Sequence, residues 1–176
     1  LAAQIFGLLG DIFLLLPEKV FSAGFGAFLI GHFFYLALLF NRISARYSGG
    51  APHLNYFGLF FGGFLIWVGL MVLVYRFFRR LPLQEGISRR LWIGIQAYSW
   101  VLSGLTVVAL ITAFLIDGGT PGHIALPAGA FLFLISDLML TYNRLIKSFD
   151  RAQLWVRITY HLAQFGLAWG FLTLVI

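Results

Sequence analysis

Six long apolar runs, separated by short polar stretches, constrain the fold of this chain more than any other feature. The runs cover about residues 1–16, 20–40, 54–78, 91–116, 123–143 and 154–176. A helix needs roughly 20 apolar residues to cross a bilayer, and it satisfies its backbone hydrogen bonds without water. Only 10% of the 176 residues are charged, whereas soluble domains carry about 25%. We therefore predict an all-α, polytopic transmembrane helical bundle with six spans, forming a single transmembrane domain over residues 1–176.

Proline, glycine and charge set the predicted boundaries of the runs. We expect the first helix to cover about Leu1–Leu16 and to end at Pro17, because proline cannot continue a hydrogen-bonded helix interior. The polar stretch Asn41–Pro52 contains glycine and is predicted to be a loop. The first run is short for a span, so we expect that preceding sequence is absent from this chain. Four glycines of the third run are predicted to allow close helix approach: Gly58, Gly62, Gly63 and Gly69.

The basic residues predict the topology of the bundle. Most of the 12 lysines and arginines fall between the first and second, third and fourth, and fifth and sixth runs. Lys and Arg crowd the cytoplasmic loops of membrane proteins, so we place these three loops in the cytoplasm, in a multi-pass protein of a bacterial inner (cytoplasmic) membrane. This asymmetry explains the net charge of +6, and no nucleic-acid partner is expected. The chain has no cysteine, which excludes disulfides and thiolate chemistry.

Two carboxyl groups, those of Asp11 and Asp137, lie inside apolar runs. An ionisable side chain in hydrocarbon costs several kcal/mol unless it has partners, so such residues usually mark a functional site. With a rise of about 1.5 Å per residue, Asp11 lies about 9 Å from Pro17 and Asp137 about 10 Å from Arg144, both on the cytoplasmic half. Because an amide would serve a structural role equally well, both residues are candidates for catalysis.

Polar side chains also recur at helical spacing on other helices, so that several helices present a polar stripe. The stripes comprise Gln4 with Asp11; His32 with Tyr35; Gln96, Ser99, Ser103 and Thr106; Asp137 with Thr141, and Ser136 with Asn143; and Gln153, Arg157, Tyr160 and Gln164. Polar stripes facing lipid would be costly, so we predict that they converge on an internal cavity open toward the cytoplasmic half. Scattered hydrogen bonds between helices are the alternative interpretation, above all for the fourth helix, for Gln4 and for His32.

Metal and triad chemistry are not indicated. A zinc site needs three or four converging ligands, and the four histidines have no metal-type spacing. Ser136 and Asp137 do not form part of a triad, because adjacent helical residues point apart and the sequence places no base beside them. We therefore expect neither a metal nor another cofactor.

Four motifs occur in an order that resembles a known family. They are Gly10–Pro17 (GDIFLLLP), Phe25–Tyr35 (FGAFLIGHFFY), Gly129–Asp137 (GAFLFLISD) with Asn143, and Thr159–Tyr160 with Gln164. Over essentially the whole chain, the sequence resembles the lysoplasmalogenase family, also called YhhN-like. The resemblance implies an eight-helix membrane protein with two spans ahead of the Gly10–Asp11 helix. It also implies hydrolysis of the vinyl ether bond of a lysoplasmalogen to a fatty aldehyde and glycerophosphoethanolamine or glycerophosphocholine.

Vinyl ether hydrolysis requires a proton donor and a group that orients water. Paired carboxyl groups meet both needs in other hydrolases, so we predict that Asp11 and Asp137 are the pair, within about 8 Å of each other around a water. The residues predicted to orient substrate or support the site are His32, Tyr35, Ser136, Asn143, Tyr160 and Gln164. A basic group is placed to meet the phosphate of a lysophospholipid substrate, although topology and attraction to anionic membrane lipids account for it as well: Arg144, Lys147, Arg151 and Arg157.

Two other functions fit the same residues. One is a metal-dependent membrane lipid amidase or esterase, which chelators would inactivate. The other is a non-enzymatic proton-coupled transporter or lipid-binding protein, in which the carboxyl groups relay protons. The runs lack the paired, Gly/Pro-interrupted spans typical of many transporters. Turnover in detergent, without vectorial transport, would separate an enzyme from a carrier.

Overall fold

A computed structural model of the chain describes residues 1–16, 20–48, 56–80, 88–115 and 122–175. This part of the chain forms six helices: α1 (Ala2–Leu15), α2 (Phe21–Ser48), α3 (Tyr56–Arg79), α4 (Arg89–Leu115), α5 (Gly122–Leu145) and α6 (Ala152–Val175). It contains no β-strand, and the prediction of an all-α helical bundle is confirmed.

Four of these helices are long and apolar enough to cross a membrane, in the part of the chain that the structure describes: Ser22–Arg46, Tyr56–Arg79, Arg89–Phe114 and Gly122–Leu145. The prediction of six spans is therefore supported for α2, α3, α4 and α5. With 14 residues, α1 is about 21 Å long, less than the roughly 30 Å of the hydrocarbon core. Although α6 has 24 residues, polar side chains such as Arg157 and Gln164 lower its mean hydropathy.

The second helix extends beyond its predicted end. Asn41–Ser48 belongs to α2, which has 28 residues, and the prediction of a loop there is wrong. Neither proline nor glycine occurs from Asn41 to Ser48, so nothing in this stretch breaks the helix. The connections over residues 17–19, 49–55, 81–87 and 116–121 lie outside the described residues, whereas the α5–α6 connection over residues 146–151 is described.

Five helices share the main core, and the remaining helix, α3, packs against its side. The backbone of α5 packs against α4 and α6, that of α2 packs against α1 and α4, and α3 packs against α4. The core contains buried side chains of α1, α2, α4, α5 and α6, among them Phe28, Leu102, Phe133 and Leu167. Within the described residues, the α1 and α6 backbones make no close contact. Side chains alone therefore join α1 to α6, which leaves space for a cavity between them.

Two of the four glycines of α3 do not bring about the close helix approach that the sequence predicted. A Cβ on Gly62 or Gly69 would meet nothing within 4 Å, so both glycines face open space. Gly63 alone fits the prediction among these three, because a Cβ there would lie 2.5 Å from the Ile111 side chain of α4. Gly63 therefore brings α3 close to α4.

The closest helix contact lies between α5 and α6. A Cβ on Gly129 would lie 2.6 Å from the Leu167 nitrogen, and one on Gly166 would lie 2.9 Å from the Gly129 Cα. The two backbones touch there because neither glycine has a side chain. This contact fixes α5, which carries Asp137, against α6, which carries Tyr160.

Candidate active site

A cavity of about 650 Å³ lies between α1, α5 and α6, at the end of the bundle where α5 ends and α6 begins. Its lining is Asp11, Leu14, Leu15, Phe28, Ser136, Asp137, Leu140, Asn143, Arg144, Gln153, Val156, Arg157, Tyr160 and His161. The two predicted catalytic residues thus come from helices far apart in the chain, α1 and α5, and line one cavity. We call this space the carboxyl cavity.

The carboxyl group of Asp11 is half-buried and is held by α6. The Tyr160 hydroxyl donates a hydrogen bond to Asp11 Oδ2 at 2.8 Å, and Gln164 Nε2 donates to the Tyr160 oxygen at 3.0 Å. The preceding residue, Gly10, faces Phe28 of α2, whose ring would lie 2.8 Å from a Cβ at that position. The Gly10–Asp11 pair therefore serves two purposes: the glycine admits the Phe28 ring, and the aspartate faces the cavity.

The carboxyl group of Asp137 is more deeply buried, with only 6% of the residue exposed. The Tyr98 hydroxyl of α4 donates a hydrogen bond to Asp137 Oδ2. Tyr98 does not line the carboxyl cavity and instead lines a separate space between α2 and α4. It therefore reaches Asp137 from the side away from the carboxyl cavity. Each of the two carboxyl groups accepts a hydrogen bond from one tyrosine, a partner that lowers the cost of burying it.

The hydroxyl of Ser136 joins α5 to α6. Ser136 Oγ donates a hydrogen bond to the Val156 carbonyl at 3.0 Å, and only 1% of the residue is exposed. Because the backbone of α6 uses this hydroxyl, the structure favours a packing role for Ser136 over a role as nucleophile.

Polar and basic residues surround the outer part of the carboxyl cavity. Asn143 and Arg144 of α5 line it together with Gln153 and Arg157 of α6. The other two residues of the predicted basic group, Lys147 and Arg151, are exposed and do not contribute to this lining. The cavity therefore has carboxyl groups at its inner end and two arginines toward its outer end.

Two predicted site residues of α2 lie outside the carboxyl cavity. His32 is 2% exposed and packs edge-on against Phe133, with a ring separation of 4.6 Å. Tyr35 stacks on Phe171 at 5.0 Å and lines a different cavity, which it shares with Gln4. The polar face of α2 meets the aromatic core because α2 packs against α1 and α4, so neither residue is placed to touch a ligand beside Asp11 and Asp137.

The polar stripe of α4 also fails to reach the carboxyl cavity, and the prediction of convergence is wrong for this helix. Ser99, Ser103 and Thr106 donate hydrogen bonds to the carbonyls four residues earlier in α4, at 2.8 to 3.1 Å. A hydroxyl can satisfy itself within its own helix in this way. Helical spacing therefore identified a real face of α4, but a structural one.

Two residues of the site were not identified from the sequence. Tyr98 lies beside the α4 stripe and resembles any other aromatic residue of an apolar span, so no local signal marked it. His161 follows Tyr160 in the chain, and the sequence does not decide which way its side chain points. The structure places His161 in the cavity lining, with its ring 5.5 Å from that of Tyr160.

No group of three or more His, Asp or Glu side chains is arranged to bind a metal in the described part of the chain. Fold and cavity together define a helical membrane protein with a polar site inside its bundle. The YhhN family model matches residues 1–171. The chain therefore belongs to the YhhN family, the lysoplasmalogenase-like family of membrane proteins. No curated protein and no solved structure matches the chain.

Proposed function

We propose that this protein is a membrane-embedded hydrolase that cleaves the vinyl ether bond of a lysoplasmalogen, with Asp11 and Asp137 as its catalytic residues. One observation carries the proposal: two carboxyl groups from different helices line one cavity, and each accepts a hydrogen bond from a tyrosine. Membership of the lysoplasmalogenase-like YhhN family supports the same reaction.

The reaction uses the two carboxyl groups in different protonation states. The protonated carboxyl gives its proton to the β-carbon of the vinyl ether, which produces an oxocarbenium ion. The other carboxyl, as the carboxylate, takes a proton from water while the water oxygen bonds to the oxocarbenium carbon. The resulting hemiacetal loses the glycerol oxygen as an alcohol, with the hydroxyl proton transferred to that oxygen. One water is consumed, and the products are a fatty aldehyde and a glycerophosphodiester.

The lining of the cavity suits a lysophospholipid taken from the surrounding membrane. Leu14, Leu140 and Val156 offer apolar contacts beside the carboxyl groups. Arg144 and Arg157, toward the outer end, are placed to attract the phosphate of the headgroup. With the basic loops on the cytoplasmic side, the cavity would open to the cytoplasmic half of a bacterial inner membrane, where the water-soluble product is released.

The test is aldehyde release from a lysoplasmalogen by the purified chain in detergent. Asp11→Asn and Asp137→Asn should each lower kcat by roughly 10²- to 10⁴-fold, because each removes a group that transfers a proton. Asp150→Asn is the matched control, since Asp150 is exposed beside Arg151 between α5 and α6. It should retain wild-type activity. Full aldehyde release by both Asp11→Asn and Asp137→Asn would refute the paired-carboxyl mechanism.

A further inference from the structure

Aromatic rings connect the tyrosine that holds Asp137 with the tyrosine that holds Asp11. The Tyr98 ring lies 5.7 Å from the His32 ring, and the His32 ring lies 4.6 Å from that of Phe133 at an interplanar angle of 90°. Phe133 in turn lies 5.4 Å from Tyr160, at 75°. These four residues, Tyr98, His32, Phe133 and Tyr160, are called the aromatic bridge below.

Three residues of the aromatic bridge are almost completely buried. Tyr98, His32 and Phe133 are 4%, 2% and 1% exposed, respectively. Phe25 packs edge-on against Tyr98 at 5.0 Å, and Phe28 packs against both Phe133 and Tyr160. Edge-to-face aromatic contacts fix the relative orientation of rings, and close-packed interiors transmit displacements instead of absorbing them. A change at one ring therefore displaces its neighbours.

None of the three buried rings lines the carboxyl cavity, so they do not touch a ligand there. Their influence reaches the cavity through the two hydroxyl groups at the ends of the bridge. The Tyr98 hydroxyl donates to Oδ2 of Asp137. Tyr160 likewise uses Oδ2 of Asp11. The bridge thus connects the two residues that donate hydrogen bonds to the carboxyl groups.

We propose that Tyr98 and His32 are positioning residues for the carboxyl pair. Tyr98 orients Asp137, and His32 keeps the Tyr98 ring at a fixed position relative to the rings of Phe133 and Tyr160. The inference rests on the proposed function, because a fixed separation of the carboxyl groups matters only if both act on one substrate. A displacement of about 1 Å at reacting groups costs on the order of 10²-fold in rate. The ring of His32, and not its ability to ionise, is what this role requires.

Kinetics of three variants test the proposal. Tyr98→Phe keeps the ring and removes the hydrogen bond to Asp137, and it should lower kcat by roughly 10- to 100-fold with little change in KM. His32→Ala should lower kcat similarly, whereas His32→Phe, which retains a ring, should restore most of the activity. Tyr142→Phe is the control for Tyr98→Phe, because Tyr142 lies on α5 and packs against Phe77 and Phe149, away from the bridge.

A second measurement does not depend on turnover. A hydrophobic carbodiimide reacts with carboxyl groups inside membrane proteins, and mass spectrometry gives its rate of addition at each aspartate. Tyr98→Phe should change the rate at Asp137 several-fold while leaving the rate at the exposed Asp150 unchanged. Tyr142→Phe should leave the rates at Asp11 and Asp137 as in the wild type. A general loosening of the bundle would instead raise the labelling rates of Asp11 and Asp137 by the same factor, in Tyr98→Phe and in Tyr142→Phe alike.

The outcomes separate this inference from the proposed function. If the wild type releases aldehyde but Tyr98→Phe and His32→Ala keep its kcat and its labelling rates, the positioning role is refuted and the hydrolase remains. If the wild type releases no aldehyde, the proposed function fails. A labelling change confined to Asp137 in Tyr98→Phe would then still support the orienting role of Tyr98, and its absence would refute it. Equal loss of activity in His32→Phe and His32→Ala would refute the requirement for a ring.

Discussion

The contact between Gly129 and α6 gives the most quantitative prediction. An alanine Cβ at position 129 would lie 2.6 Å from the Leu167 nitrogen, 2.8 Å from the Gly166 carbonyl carbon and 2.9 Å from the Ala163 oxygen. All three are backbone atoms, so no side chain can rotate away. Ordinary contacts begin at 3.4 Å, and the helices must separate by about 0.8 Å to restore that distance. Overpacking of this kind costs about 1–3 kcal/mol.

Gly129→Ala should therefore lower the unfolding temperature in detergent, by roughly 2–4 °C per kcal/mol for a chain of this size. It should also lower kcat for aldehyde release by up to about 10²-fold, because α5 carries Asp137 and α6 carries Tyr160. Gly62→Ala is the matched control: it adds the same methyl group to α3, where nothing lies within 4 Å. Equal unfolding temperatures for Gly129→Ala and Gly62→Ala would refute the account of the α5–α6 contact.

Three further predictions concern single contacts of the site. Tyr160→Phe keeps the ring but removes the hydrogen-bond donor to Asp11. Initial rates should show kcat lowered by roughly 10- to 100-fold, since a hydrogen bond to a charged group contributes about 1.5–3 kcal/mol. An unchanged kcat would contradict a role for this bond. Ser136→Ala should keep kcat within a few-fold of the wild-type value. It should lower the free energy of unfolding by about 0.5–1.5 kcal/mol through loss of the hydrogen bond to α6. Complete loss of turnover in a folded variant would instead indicate that Ser136 is a nucleophile. Replacing both Arg144 and Arg157 by Gln should raise KM for a lysophospholipid several-fold at unchanged kcat, because the headgroup is bound equally in the ground state and the transition state. An unaltered KM would rule out headgroup recognition by these arginines.

Much of the fold was predictable because the signals for it are local. An apolar run of about 20 residues requires a helix in a bilayer wherever its neighbours lie, and all six predicted helices are present. Errors arose where local signals conflict or are weak. The polar stretch after Phe40 was predicted to be a loop, but its first part, Asn41–Ser48, contains no proline or glycine and continues α2 to Ser48.

The candidate site was predictable in part, for a similar reason. A carboxyl group inside an apolar run is conspicuous in a sequence, and Asp11 and Asp137 were identified on that basis and line one cavity. Tyrosine is common in membrane spans, so Tyr98 carried no comparable signal. His32 was conspicuous as an ionisable residue, yet its contacts are with the rings of Tyr98 and Phe133.

The sequence by itself determined the class of protein, the six helices of the described residues and which carboxyl groups lie inside helices, because hydropathy and helical spacing are properties of single segments. Only the tertiary structure decided which stripe faces the carboxyl cavity, which glycines bring helices together and which tyrosine holds each aspartate. Those features depend on the rotation of each helix against its neighbours. That rotation is set by packing between residues far apart in the chain, such as Gly129 with Leu167 and Tyr160 with Asp11.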